Sequence, residues 1–369
     1  MALTQTQLYP QVDLALSWSE RELPERERTK HVHRLHPYLG KFVPQLVETL
    51  LARYVKSGGR VLDPFAGSGT TLVQALESGY DAVGVDVAAF NALLMRVKTA
   101  DYDLAALEGE VLEAHSRLGR SRARPRGYVA KWFAPGAAAE LLHFRSELSR
   151  YFHAEVLRVV LARAARSARR TTHFDLDFPK APQVGEYWCH KHRRTCRPVE
   201  TANKFLSRYL LDTLARLNAF SAVRDEHRAA VVLHGDAREL ELGGPYDGVV
   251  TSPPYPGLID YHEQHRYAYE LLGLDDRRER EVGAAARGTS RAAIEEYSAG
   301  IATVLERAVE TLRPGAPVCI VVNDRRELYP EILRRAGLVL ADRLERHVNR
   351  RTGRRSGEYF ESILIATHP

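Results

Sequence analysis

Between Pro44 and Asp86 the apolar positions alternate between two periods. "PQLVETLLARYV" carries them at helical spacing, "GGRVLD" is a turn with a short apolar run, "TTLVQALESG" is helical again and closes on Gly79, and "DAVGVD" is a second apolar run. Short apolar strands separated by a helix predict a parallel pair joined by a crossover. Further on the pattern changes. "AAAELLHFRSELSRYFHAEVLRVVLARAARSARR" predicts one long helix with an increasingly basic C-terminal half, "TTHFDLDFPKAPQVGEYWCHKHRRTCRPVE" predicts a loop, and "TANKFLSRYLLDTLARL" returns to helical spacing. The alternation then resumes with the strands "AAVVLHGDA" and "YDGVVTSPPY", the helix "RAAIEEYSAGIATVLERAVETL" and the strand "VCIVVND". The last two apolar segments, "LVLADRLERHV" and "YFESILIATHP", predict an antiparallel pair joined by the basic turn "NRRTGRRSGE".

These elements predict an α/β fold in three parts: residues 1–100 as an N-terminal segment and the first half of the α/β domain, 101–228 as a mainly helical insertion, and 229–369 as the second half. A chain of 369 residues, 44% hydrophobic and 27% charged, has ample material for a globular core. Apolar runs such as "VCIVV" fall far short of the roughly 20 residues that span a bilayer. The segment "MALTQTQLYPQVDLALSWSERELPERERTK" lacks the pattern of a secretory signal. Cys189, Cys196 and Cys319 are too few for a disulfide framework, so a cytoplasmic protein is expected. Charge sharpens this picture. The net charge is +6, yet from Arg120 to Ala230 Lys and Arg outnumber Asp and Glu about two to one. A polyanion would meet the insertion first, although a solvated Arg-rich helix is the plainer reading.

Two motifs carry the candidate chemistry. In "VLDPFAGSGTT" a strand ends at Asp63, a Gly-rich loop follows, and a helix starts near Thr71. A parallel sheet binds ligands beyond the carboxyl ends of its strands, and a glycine loop lets a small ligand approach the backbone. The spacing is neither G-x-G-x-x-G nor a P-loop, which weakens nicotinamide and ATP readings. Asp86, closing the next strand, is placed to accept hydrogen bonds from ribose hydroxyls. In "TSPPY" the two prolines force an extended, stiff exit from a strand. Ser252 and the neighbouring carbonyls then form a set of acceptors suited to an exocyclic amine, and Tyr255 offers a ring on which a base stacks. Taken singly, the first motif also reads as a tight turn and the second as a strand stop.

Together, "DPFAGSGTT" and "TSPPY" resemble motifs I and IV of the S-adenosylmethionine-dependent amino-methyltransferases that modify exocyclic nitrogens of DNA bases. "HRLHPYLGKFVPQLVETLL", His33 to Leu51, resembles the segment that precedes motif I in that family. The resemblance implies a Rossmann-like, doubly wound sheet of seven strands with an antiparallel last strand. It implies S-adenosyl-L-methionine as cofactor, held by Asp63, Pro64, Phe65, Gly67, Gly69 and Thr70, with Asp86 at the ribose and Asp236 near the adenine. It further implies that Ser252, Pro253, Pro254 and Tyr255 hold a flipped base in double-stranded DNA, with insertion 101–228 recognising the target. Ser at the first position of motif IV is most typical of enzymes acting on cytosine N4. The implied function is therefore cytosine-N4 methylation, possible within a restriction-modification system with its own endonuclease. Adenine-N6 methylation, RNA base methylation and a catalytically inactive nucleic-acid binder are the alternatives. In this chain the cofactor motif precedes motif IV, one of the circularly related orders of the family. Methylation of a ring carbon would need a nucleophilic cysteine, usually after a proline in that related family. Here the cysteines follow Trp188, Thr195 and Val318.

Two other constellations gather polar side chains. "CHKHRRTC" gathers Cys189, His190, His192 and Cys196, but its spacing departs from the usual zinc pairs. A basic loop in which Tyr187, Trp188, Lys191, Arg193, Arg194 and Arg197 contact nucleic acid is favoured, with no metal expected. After motif IV, His262, Glu263, His265 and Arg266 are expected to line the base pocket or cap a helix. Arg266 stands where the second His of H-E-x-x-H would be, which excludes that metalloprotease motif. Arg287 and Arg291 are expected in a charged loop that reaches the DNA backbone or is simply solvated.

Overall fold

The computed structural model describes residues 16–348 and 359–369, apart from 20, 42, 174, 176 and 177. The turn "NRRTGRRSGE" and the first half of the N-terminal segment tested for a signal lie outside the described residues.

One compact unit comprises the chain up to Val87 together with Val223–Ile259 and Glu279–Pro369. Its strands are β1 (Arg60–Asp63), β2 (Asp81–Asp86), β5 (Ala230–His234), β6 (Gly248–Thr251), β7 (Pro317–Val322), β8 (Val339–Val348) and β9 (Tyr359–Thr367). They form a single sheet in the order β5-β2-β1-β6-β7-β9-β8. All neighbours pair in parallel up to β7, and β9 runs antiparallel to both β7 and β8. This is the doubly wound, seven-stranded α/β sheet implied by the motifs. Its central strands read as unbroken apolar runs because both faces are covered: all four residues of β6 are buried.

Four helices of this unit flank the sheet in the chain. They are α1 (Glu25–Arg28), α2 (Pro44–Tyr54), α3 (Thr70–Glu77) and, beyond the second unit in sequence, α12 (Arg291–Val309). Pro44 occupies the first turn of α2, where a missing N–H costs nothing. Helix α3 packs closely on β2 because position 84 is glycine; a Cβ there would lie 2.5 Å from Leu72 Cδ1 and 2.9 Å from Ala66 Cβ. On the sheet, Ile301, Val304 and Leu305 of α12 join Val249, Val318 and Ile320 in one buried cluster.

The second unit comprises Ala88–Ala222 and Asp260–Arg278. It contains α4 (Ala89–Thr99), α5 (Leu104–Ser116), α6 (Gly127–Trp132), α7 (Pro135–Glu147), α8 (Ala154–Ala168), the hairpin β3 (Tyr187–Cys189) and β4 (Arg194–Cys196), α9 (Asn203–Ser221), α10 (Tyr261–Gln264) and α11 (Arg266–Leu272). The long helix expected from the apolar period is broken between α7 and α8. The carboxylate of Glu110 accepts the backbone N–H groups of Phe152 and His153, at 3.1 and 2.9 Å, and so ends one helix and begins the next. Part of the basic character of α8 is internal to the unit. Arg163 is 6% exposed, hydrogen-bonds Thr213 Oγ1 and pairs with Asp212, while Arg169 lies over the Tyr267 ring at 4.4 Å. His262 and His265 are likewise buried here. His262 Nε2 accepts the Arg277 N–H; the side chain of Asp260 caps the start of α10, and His265 stands at the C-cap of α10 and the N-cap of α11. Among the described residues no helix is long and apolar enough to cross a membrane.

Two glycines give opposite expectations. Gly84→Ala should lower the unfolding free energy by about 1–3 kcal/mol through overpacking against Leu72 and Ala66. Gly109→Ala, on exposed α5 with nothing within 4 Å of the new Cβ, should raise it by up to about 1 kcal/mol. Urea unfolding of both variants reads the signs directly.

Candidate active site

The carboxyl ends of β5, β2, β1 and β6 lie side by side, which brings Asp236, Asp86, Asp63 and Ser252 to one end of the sheet in that order. Strand order reverses at β1. The chain leaves β1 through α3 towards β2 on one side, while β6 lies on the other, so the loops after β1 and β6 diverge and leave a crevice.

Asp63 sits under that crevice and is 1% exposed. One carboxylate oxygen accepts the Thr251 hydroxyl at 2.6 Å and the Phe65 N–H at 3.1 Å; the other accepts the Thr71 hydroxyl at 2.6 Å. Burial raises the Asp63 pKa and the three donors recover only part of the shift, leaving it at about 6. These bonds join the end of β1 to the start of α3 and the end of β6. Through these three bonds Asp63 fixes both loops.

The loop above it is shaped by glycine. Gly67 has φ +52°, and a Cβ there would lie 2.9 Å from the Tyr38 hydroxyl, so only glycine passes beneath that ring without displacing it. The Gly67 N–H donates to Asp86 Oδ2 at 2.9 Å, locking the loop after β1 to the end of β2. Gly69, at φ +81°, turns the chain into α3, which begins at Thr70 rather than Thr71. Pro64 and Thr70 are buried, while Phe65 is partly buried against the sheet core. Beyond β2, at the end of β5, Asp236 is tied to its own loop. Burial pushes its pKa up, but hydrogen bonds from the Arg238 side chain and backbone outweigh this and hold it lowered; Arg238 Nη2 donates at 2.6 Å.

At the end of β6 the Ser252 hydroxyl donates to the Val321 carbonyl at 2.9 Å. Pro253 is buried, and Tyr255 is partly buried against the core. The Pro254 carbonyl accepts the Tyr297 hydroxyl at 3.0 Å, and Tyr297 lies 3.2 Å from the Tyr329 hydroxyl. Burial raises the pKa of both tyrosines, so they stay neutral and able to donate. The turn is thus propped from α12. The sequence reading missed Thr71, Thr251, Tyr38, Tyr297 and Tyr329. The available signal was hydroxyl groups set in otherwise apolar runs, where each must find a buried partner.

The strand-end residues test the expected cofactor. Asp63, Asp86, Asp236 and a Gly-Ser-Gly turn lie at this end of the sheet, and Arg238 there is paired with Asp236. A phosphate-bearing cofactor would meet repulsion there. A ligand with a cationic sulfur, an ammonium group and ribose hydroxyls fits those carboxylate acceptors. Arg287, by contrast, pairs with Glu296, and Arg291 opens α12 after the Ser290 cap.

Comparison with known proteins places the chain in a family. A DNA methylase family model, of the N6/N4 methyltransferase type, matches residues 9–92. The type II methyltransferase M.MjaII of Methanocaldococcus jannaschii is 35% identical over 432 aligned residues, covering 93% of this chain and 81% of that protein. M.MvaI of Kocuria varians is 23% identical over 66% of this chain and 58% of its own length. M.BsoBI of Geobacillus stearothermophilus is 21% identical over 70% and 56%.

A raised carboxyl pKa has a defined pH signature. Folded Asp63 binds its proton up to about pH 6, whereas in the unfolded chain a free Asp loses it near about 3.9, so its contribution to stability falls as pH rises through that window and is flat above it. Asp63→Asn keeps acceptors for Thr251 and Phe65, and Thr71 can still donate to the Val250 carbonyl at 3.3 Å. Denaturant midpoints of the wild type should decline relative to those of Asp63→Asn between pH 4 and 6. Parallel curves would show that Asp63 does not titrate there.

Proposed function

The chain belongs to the amino-methyltransferase family of DNA methylases, and on that premise we propose that it methylates the exocyclic N4 amine of cytosine in double-stranded DNA, working in the cytoplasm. It is an S-adenosylmethionine-dependent enzyme, and that cofactor supplies an activated methyl group when bound. Pro64, Phe65, Gly67, Gly69 and Thr70 form its cradle, with Asp63 holding the cradle's shape. Asp86 takes the ribose hydroxyls, and Asp236 borders the adenine in the position that Arg238 fixes.

The reading rests on the state of Ser252. An exocyclic amine shares its lone pair with the ring, so it attacks well only when acceptors hold its N–H bonds and let the nitrogen become more tetrahedral. The Ser252 proton is committed to the Val321 carbonyl, so this hydroxyl offers lone pairs to an amine. The Pro253 carbonyl is the second acceptor, because that of Pro254 is taken by Tyr297. Tyr255 stacks on the flipped base. Serine at this first motif position favours cytosine over adenine. Exposed basic residues of the second unit, Arg122, Arg124 and Arg126 and the hairpin residues Lys191, Arg193, Arg194 and Arg197, contact the DNA backbone. Because the relatives are titled type II methyltransferases, the proposal extends to a partner endonuclease that cuts the same sequence when unmethylated.

Nucleoside analysis of DNA incubated with the enzyme and methyl-labelled cofactor tests this. Labelled N4-methylcytosine is expected; N6-methyladenine alone would overturn the base assignment, and label in RNA alone would overturn the DNA assignment. Ser252→Ala should lower turnover by about 10- to 100-fold, the effect of losing about 1.5–3 kcal/mol of hydrogen bonding in the transition state, with cofactor affinity unchanged.

A further inference from the structure

We propose that His173, Cys189, His192 and Cys196 form a structural zinc site in the second unit. Cys189 comes from β3, Cys196 from β4, His192 from the turn between them and His173 from the loop before the hairpin. One ligand atom from each lies within 4.8 Å of the other three. Two sulfur–nitrogen separations, Cys189 Sγ to His173 Nδ1 and Cys196 Sγ to His192 Nδ1, are 3.5 Å. A tetrahedral ion with Zn–S of about 2.3 Å and Zn–N of about 2.0 Å sets that edge at roughly 3.5 Å. Two thiolates and two imidazoles suit zinc, and four protein ligands leave no open position, so the site is structural.

An independent observation concerns what else holds this segment. Between Thr172 and Glu200, Cys189 and Cys196 are the buried residues among those described, while Trp188 is 58% exposed and Phe178 and Val184 also face solvent. Each strand has three residues, and Arg193 in the turn has φ +51°. So short a hairpin is at best marginal in water without a packed face. Metal binding supplies ordering free energy where apolar burial does not, because the site exists only in the folded chain. The Tyr187 hydroxyl supports it from outside: it accepts the backbone N–H of His173 at 3.1 Å and so ties that residue to the hairpin. His190, the histidine nearest to Cys189 in sequence, is exposed and takes no part. The second His and carboxylate cluster, His31, His33 and Glu77, differs in kind, because Lys30 already pairs with Glu77 there.

Elemental analysis of the full chain, purified under reducing conditions without chelator or histidine tag, tests the site. One zinc per chain is expected, with Cys189 and Cys196 unreactive towards a thiol reagent until a chelator removes the metal. Cobalt exchanged into the site should give thiolate-to-metal charge-transfer absorption, lost in Cys189→Ser and Cys196→Ser and kept in His190→Ala. Absence of zinc after equilibration with zinc chloride, zinc retained by the double serine variant, or a Cys189–Cys196 disulfide in the reduced protein would each overturn the proposal. If the serine variants do not fold, the wild-type stoichiometry and cobalt spectrum decide alone. None of these readouts depends on methyl transfer.

Discussion

A single buried carboxylate sets the geometry on which the site depends. Asp63 closes β1 where the strand order reverses, and its two oxygens bind hydroxyls from α3 and from β6. A carboxylate there is costly to bury, as its raised pKa shows, and it persists because three donors converge on it. An apolar residue of similar size would fill the space but leave Thr71 and Thr251 without that acceptor. The loops after β1 and β6 are therefore coupled: displacing one disturbs the other through the same group.

Rigidity on the β6 side has a second source. The prolines remove two backbone donors and limit the chain's freedom, but they do not determine where the turn rests. That is decided by Tyr297, which donates to the Pro254 carbonyl from α12, and by Val321 on β7, whose carbonyl accepts the Ser252 hydroxyl. Neighbouring parallel strands and one covering helix thus supply the contacts that convert a stiff tetrapeptide into a shelf with defined acceptors.

The second unit shows that charge counting and charge display differ. Its arginines divide between internal use, as with Arg163 on Asp212 and Thr213 or Arg169 on Tyr267, and open display on the segment 122–126 and the β3–β4 hairpin. Net positive charge describes the region as a whole, not its individual residues. The display belongs to loops with little apolar content, and for one of them the surroundings of Cys189 and Cys196 indicate what must hold it in place.

Much of the fold was legible in the sequence because apolar periods report burial. The runs at Val61, Val83, Val249 and Val318 are strands buried on both faces, and the antiparallel C-terminal pair followed from two long apolar segments. The two motifs were equally legible, since Gly67 and Gly69 and the Pro-Pro step act through local backbone geometry. Breaks and partners were not. The division of α7 from α8 depends on Glu110, some forty residues earlier in the chain, and the fourth member of the Cys–His cluster is His173 rather than His190. By itself the sequence determined the strands, the glycine loop, the proline step and the residue types available for chemistry, because these are set by near neighbours. Tertiary structure alone decided that Asp63 binds Thr71 and Thr251, that the Ser252 hydroxyl donates to the Val321 carbonyl, and that His173 joins two cysteines, because each of these pairings is made between residues that only folding brings together.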